Sequence, residues 1–490
     1  MENLEVSTKK KFTMDKFSSQ VKVSTSSNVK KVLDVQAKTV ISSVESANGF
    51  CSVSGKLAVN VIYLSENGAV ESSSNFYDFI EKQTSSYELK DAYGLDTNSV
   101  ESVNFSSSEI ILSVAHSVTV IGIYKYELTD ISNLPSEFVV KKNEFTALRL
   151  ACSNDDNFVV AEECETNIKN MTILGATASV ASYESVSVVD KVVIDGKLSV
   201  EVIYKDEEGV GCVRKEFEFK QEIAAENVVP NMLVSSCLDV RNVTVTPEEK
   251  EENTNLVFAF DLYAKSYVFE EETYEAVSDM FSLASDIQTT YDYIEAKNYD
   301  TTVEANDVVL TSTNISNIEN FDDIIGVFNP KYTLVNVQEE GEKVVVNGLL
   351  SAVALYKSGE DVNSLSISSE TKFELGKDKA QYVGGTSVSA EISSFKVKAG
   401  KELEASFKVN YRADYDTTLS ERYIKAYDIG EAKEEASSGI KVYVTKCGET
   451  VFDVAKVLNV RPEVIESQNE VQETFEKGQK IYIYSPINLL

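Results

Sequence analysis

Residues 55–63 read GKLAVNVIY and residues 196–204 read GKLSVEVIY. Seven of the nine positions are identical at an offset of 141. A weaker third copy, GLLSAVALY, covers 348–356. Self-similarity at such spacing marks a repeated supersecondary unit. Each copy has a glycine leading into a strand that ends in tyrosine, at Tyr63, Tyr204 and Tyr356. A polar turn with Gly68, Gly209 or Gly359 follows, then a second strand with an aromatic residue, Phe76, Phe217 or Phe373. Two alternating runs around a short glycine turn predict a β-hairpin.

The strands alternate. Leu57, Val59, Val61 and Tyr63 point one way and Ala58, Asn60 and Ile62 the other. Leu198, Val200, Val202 and Tyr204 repeat the first face. A one-residue slip would bring Asn60 or Glu201 into the core, so the register is expected to be firm.

Outward from the hairpins, β-rich blocks cover 99–126, 238–270 and 386–428, and strand-rich stretches precede the hairpins at 30–48, 173–189 and 324–346. The clearest alternation sets Leu403, Ala405, Phe407, Val409 and Tyr411 against Glu404, Ser406, Lys408, Asn410 and Arg412. The expected fold is mainly β, with three repeated antiparallel sandwich-like or barrel-like modules at 29–132, 169–272 and 322–429. Residues 1–28 read as an N-terminal extension, 133–168 as an extended connector that can lend strands to a neighbour, and 273–321 as a second connector. In that second connector Val277, Phe281, Leu283 and Ile287 are spaced loosely like a short helix, while Thr289, Thr290 and Tyr291 favour strand. EAKEEASSG at 431–439 reads as the core of a linker over 430–439 into a separate domain at 440–485.

The composition narrows function. The 490 residues are too many for one core. With 46 Lys and Arg against 79 Asp and Glu, the net charge is −33, which repels phosphate backbones and anionic lipid. No nucleic-acid partner is expected. The charge serves solubility or attracts a basic protein partner. Six scattered cysteines form no CxxC pair and suit a reducing compartment, although their even count permits disulfides. Lys9, Lys10 and Lys11 are followed by no apolar run, so no signal peptide is expected, and no window approaches a membrane span. A cytoplasmic chain is the expectation.

Residues 440–485 break the β pattern. A strand (Lys441 to Thr445), a polar turn at Lys446 to Glu449 and a helix from Thr450 to Leu458 come first. Thr450 is a good N-cap, and Val451, Val454, Ala455 and Leu458 share one helical face. Asn459 suits a left-handed C-cap, and Pro462 opens a second short helix. A loop through Asn469 and Phe475 leads to Gly478-Gln479 and a strand from Lys480 to Tyr484.

This β-α-α-β segment resembles the LysM family, through Tyr443-Val444-Thr445, Gly448-Glu449-Thr450, Ala455, Val460, Asn469 and Gly478-Gln479-Lys480-Ile481. The resemblance implies binding of N-acetylglucosamine glycans such as peptidoglycan, in a groove mapping to Gly448, Glu449, Thr450, Val451, Phe452, Asn469 and Glu470. Phe452 reads equally as core, and such modules also bind protein. The repeat, Gly-x-Leu-x-Val-x-Val-Ile-Tyr with its turn and aromatic strand, resembles the SPOCS domain over roughly 29–430. SPOCS domains occur in several copies, often before one LysM, in spore-forming bacteria. That resemblance implies spore-coat or envelope assembly in the mother-cell cytoplasm at the forespore surface, with a coat morphogenetic protein or a peptidoglycan-type glycan as partner.

No active site, metal site or cofactor is expected. His116 is the sole histidine, on an apolar strand face with Ile110, Leu112, Val114, Val118 and Val120. No phosphate-binding glycine motif is present. Three readings follow: a scaffold, a glycan-binding surface protein that needs export, and an unrecognised hydrolase that needs a clustered polar pocket.

Overall fold

A computed structural model describes residues 5–128, 134–250, 253–315, 321–340, 343–359, 361–376, 386–399, 402–433 and 439–485. The chain forms β1 (Glu5–Thr13), β2 (Phe17–Ser24), β3 (Val29–Ala47), β4 (Phe50–Ser65), β5 (Val70–Thr84), β6 (Lys90–Phe105) and β7 (Glu109–Glu127). Next come β8 (Phe138–Thr166), β9 (Thr172–Val188), β10 (Lys191–Lys205), β11 (Val210–Ala224), β12 (Leu233–Glu249) and β13 (Thr254–Ser282). The third set is β14 (Ser285–Asn314), β15 (Phe321–Glu340), β16 (Lys343–Ser358), β17 (Asp361–Gly376), β18 (Thr386–Ala399) and β19 (Glu402–Ala432).

One plan recurs three times. The repeated nonapeptides lie in the central strands of the sheets β3-β4-β5, β9-β10-β11 and β15-β16-β17. Each sheet faces a second one: β7 between β6 and the pair β1 and β2, then β8-β13-β12, then β14-β19-β18. Every strand pairing among the described residues is antiparallel, and none of these sheets closes into a barrel. The fold is mainly β, as the alternation predicts. Leu57, Val59, Val61 and Tyr63 pack on Val21, Val23, Ile110, Leu112 and Val114 of the opposite sheet. Leu198, Val200 and Val202 meet Leu256, Phe258, Phe260 and Leu262, and Leu350, Ala352 and Ala354 meet Phe407, Val409 and Tyr411.

The outer strands come from segments set aside in the sequence. Residues 5–13 and 17–24, in the extension, pair with β7. Most of the first connector is β8, which pairs with β13 along its length. In the second connector the loose helical spacing gives way to strand. Val277 and Phe281 lie in β13, Ile287 in β14, and β14 pairs with β19 from Ser285 to Asn314. A short isolated helix is marginal in water, whereas the long ladders with β8 and β19 hold this segment as strand.

The three aromatic residues after the turns are not equivalent in space. Phe217 opposes Leu198 and Phe373 opposes Val346, both facing the core, whereas Phe76 opposes Ala58 and is 63% exposed. Five residues separate the paired Leu64 and Val70, but four separate Lys205 and Val210. One extra turn residue shifts the returning strand by one place and reverses its faces. Tyr77 takes the inward place opposite Leu57. The leading glycines have a common cause. A Cβ on Gly55 would lie 2.7 Å from the Phe79 ring, one on Gly196 would lie 2.7 Å from Phe219, and Gly348 is covered by Tyr332.

The second face of the nonapeptides builds the assembly. Ile62, Ile203 and Leu355 hold the same repeat position, are fully buried, and meet in one cluster with Leu33, Leu174 and Phe328. The contacts run in a cycle, β5 on β9, β11 on β15, and β17 on β3. Lys205 Nζ donates to the Val70 carbonyl (3.3 Å), Lys357 Nζ to the Glu208 carbonyl (3.2 Å), and Lys31 Nζ to Asn363 Oδ1 (3.1 Å). The modules thus form a closed ring with pseudo-three-fold symmetry. A second junction joins Val6, Phe145, Ala147, Ile294 and Tyr423.

Polar groups lie in the same seam. Asn60 Nδ2 donates to the Leu174 carbonyl (3.0 Å) and to Gln36 Oε1 (3.1 Å). Glu201 is buried and pairs with Arg214 (2.7 Å), which also reaches the Val327 carbonyl. Asp34 is 4% exposed, and neither carboxylate oxygen has a hydrogen-bond partner among the described residues. Burial pushes its carboxyl up to about 7 from the usual 3.8. The Val35 amide and Gln36 side chain lie near it outside hydrogen-bond geometry and oppose the shift, and the Glu201 charge adds to it.

Two outcomes are expected. Gly196→Ala should lower the thermal midpoint, costing about 1–3 kcal/mol for the overpacked ring, whereas Gly49→Ala, with open space around it, should show only the strain of a positive φ. For Asp34, the folded carboxyl binds its proton more tightly than the unfolded one. Its favourable contribution is full below about pH 4 and is lost as pH rises through about 7. Asp34→Asn should therefore stabilise the fold at pH 8, by at most about 4 kcal/mol at 1.36 kcal/mol per pKa unit, read as a raised thermal midpoint, and change little at pH 4. Equal effects at both values would show that Asp34 does not titrate on unfolding.

Candidate functional site

The C-terminal segment forms β20 (Gly439–Val444), α1 (Val451–Leu458), α2 (Pro462–Gln468) and β21 (Lys480–Ser485), in the order read from sequence. Thr450 caps α1 through a capping box with Asp453, and Asn459 ends it at φ 54° in the left-handed region. Val454, Ala455, Ile465, Phe475, Ile481 and Ile483 are its buried core.

Most of the expected groove side chains hold the module together. Gly448 turns the chain at φ 84°, and its N–H donates to the Phe475 carbonyl (3.1 Å). Glu449 accepts from the Tyr443 hydroxyl (2.8 Å) and from the Lys446 amide (2.7 Å). Asn469 bonds both backbone groups of Tyr482, accepting from its N–H and donating to its C=O, each at 2.8 Å. Glu470 is exposed, and its carbonyl accepts from Gln479 Nε2 (3.4 Å). The turn at 448–450 is therefore tied to Phe475, while Asn469 is turned toward β21. Val451 is half-buried.

Phe452 faces the second module. It is 8% exposed, and its ring meets Phe281 edge-on at 5.4 Å. Lys456 pairs with Asp279 (2.6 Å), Asn459 Nδ2 donates to the Leu283 carbonyl (2.9 Å), and Arg461 reaches the Ser136 carbonyl. The segment expected to stand apart beyond a linker is docked on the ends of β8 and β13. No sequence periodicity signals this, because the contact residues also serve their own strands or helices.

His116 lies on the inner face of β7, as its apolar neighbours predict, but within a polar set that the sequence does not reveal. Its Nδ1 is 2.7 Å from Asp96 Oδ2 and its Nε2 is 3.1 Å from Ser19 Oγ. The tautomer with Nδ1–H toward Asp96 satisfies both bonds. Phe17 and Phe79 hold the imidazole at centroid distances of 4.8 and 5.1 Å. Asn98 Nδ2 donates to Thr39 Oγ1 (3.1 Å), and Lys331 of the third module donates to Asn98 Oδ1 (3.4 Å). Burial lowers the Lys331 amine below its usual value, against the pull of Asp96. Signals for Asp96 and Ser19 are lacking because they are 20 and 97 residues from His116.

No disulfide joins the six cysteines. Among the described residues, no three His, Cys, Asp or Glu side chains converge as a metal site, and no helix is long and apolar enough to cross a membrane.

The architecture is thus a repeated antiparallel β protein with a small β-α-α-β module docked on it. A family model described as SipL, SPOCS domain, matches residues 160–248, from the end of β8 through the β9-β10-β11 sheet and into β12. This supports the SPOCS resemblance in the second module and is consistent with a role in sporulation. No curated protein matches the chain.

The Asn469 bridge gives a direct test. Asn469→Ala removes three bonds to backbone groups, two to Tyr482 and one to Ile465. It should cost about 1–3 kcal/mol and speed hydrogen exchange at the Tyr482 amide. Unchanged exchange would assign Asn469 no part in holding β21.

Proposed function

We propose that the chain is a non-catalytic scaffold of spore-coat or envelope assembly, with a LysM-type module that docks a coat morphogenetic protein at the forespore surface. The observation that carries this reading is the closed ring. Polar side chains in its seam reach across module boundaries and brace one module against the next: Asn60, Lys331, and Arg214, which is held by the buried Glu201. The match of residues 160–248 to the SPOCS-domain family model supports this reading for the second module. Several modules held rigidly on one chain present binding surfaces at fixed spacing, which raises avidity without new contacts.

The Ser19–His116–Asp96 arrangement has the order of a nucleophile, a base and an orienting group. We read it as a brace. The imidazole is held between two phenylalanine rings inside the sandwich, and the network continues through Asn98 to Lys331 of another module. The glycan reading is weakened by Phe452, whose ring packs on Phe281 instead of forming a groove floor.

The test uses the full chain. A fluorescent fusion should gather at the forespore surface in sporulating cells, and purified peptidoglycan should leave the protein in the supernatant. Glu470→Lys, at the exposed part of the groove, should disperse the fusion while the thermal midpoint stays within a few degrees. Pelleting with peptidoglycan would replace the scaffold by a wall-binding protein.

A further inference from the structure

The β20–β21 sheet has one closed edge and one open edge. On β21, Asn469 takes both backbone groups of Tyr482. Gln468 accepts from the Tyr484 N–H (2.7 Å) and donates to its carbonyl (3.4 Å). Two side chains thus stand in for a neighbouring strand. In an antiparallel ladder, directly opposed residues exchange both backbone bonds or neither. Val442 opposes Tyr482 and Ile440 opposes Tyr484. Val442 and Ile440 must therefore also turn their N–H and C=O away from β21. Among the described residues β20 pairs with β21 alone, so those groups point to an open edge.

The same residues carry the exposed apolar face. Ile440 is 66% exposed and Val442 53%, with Val444, Tyr482 and Tyr484 beside them. Unprotected strand edges are pairing surfaces, and proteins commonly blunt them with charge, proline or a bulge. Here one edge is blunted and the other is not. The charge also differs from the rest of the molecule. Residues 439–485 carry six Lys and Arg against seven Asp and Glu, a net of −1, in a chain of −33. Lys446 and Lys480 are exposed at the Val444 end.

We propose that an extended segment of a partner protein, apolar at alternate positions and acidic at the end beside Val444, adds to β20 as a third strand. Its backbone meets the outward groups of Ile440 and Val442, and its apolar side chains lie along the exposed row. Its acidic end meets Lys446 and Lys480. A second copy of the chain fits less well, because it brings its own −33 charge. This inference deepens the scaffold reading by naming the surface and the chemistry of the partner.

The probe is a fluorescein-labelled peptide, Glu-Glu-Val-Thr-Val-Thr-Val-Thr, titrated onto the full chain by fluorescence anisotropy. Saturable binding is expected, with slowed hydrogen exchange at the Ile440 and Val442 amides. Val442→Pro removes an N–H that β21 does not use, so the module keeps its fold, and affinity should fall at least tenfold. Lys446→Glu with Lys480→Glu should weaken binding several-fold, and added salt should weaken binding to the unaltered chain. No binding, or equal binding to Val442→Pro with an unchanged thermal midpoint, overturns the proposal. A dimer in sedimentation that Val442→Pro dissolves would assign the edge to a second copy. Binding that appears only after deletion of 486–490 would assign it to the chain's own end. Displacement of the peptide by N-acetylglucosamine tetramer would assign it to glycan. Each of these also overturns the proposal, and none decides forespore localisation, which tests the scaffold reading separately.

Discussion

The meeting of Ile62, Ile203 and Leu355 is the contact on which the rest of the molecule depends. Each is the residue before the terminal tyrosine of its nonapeptide, on the face opposite the module's own core. Burying these three with Leu33, Leu174 and Phe328 removes six large apolar side chains from water, at about 1.5–3 kcal/mol for each full burial. The contact also sets orientation, because each module offers its final hairpin strand to the first sheet strand of the next. Three such steps close a ring, and closure leaves no module with a spare copy of that surface.

Closure explains why polar groups are tolerated in the seam. Asn60 and Glu201 occupy one repeat position in the first and second modules, and the third has Val353 there. Asn60 is satisfied by a carbonyl of the second module, and Arg214 links Glu201 to a carbonyl of the third. Such bonds specify which module sits beside which. Asp34 is the exception, a buried carboxyl with no bonded partner among the described residues and a raised proton affinity. The seam therefore combines a nonpolar centre with directional bonds and one group that opposes burial when ionised.

The C-terminal module shows how local chemistry and docking share residues. Its expected groove draws on Glu449, Thr450 and Asn469, whose side chains close the turn, cap α1 and hold β21. These are local bonds, legible in the order Thr-x-x-Asp and in Asn after a short helix. Phe452 is different. Its place one residue into α1 is legible, but its contact with Phe281 joins segments 171 residues apart in the chain.

The sequence by itself determined the strands of the three hairpins, their inward faces and the β-α-α-β order at the end. Those features follow from period-two alternation, turn glycines and helix caps, which act over a few residues. Only the tertiary structure decided that residues 5–24, 138–166 and 285–314 complete the sandwiches, since an outer strand is defined by its partner's backbone and not by its own pattern. It likewise decided that Phe76 faces outward while Phe217 faces inward, because one extra turn residue outweighs aligned identity. Ile62 illustrates the division best. Alternation placed it on the face opposite the core, and the three-module ring made that face a second interior.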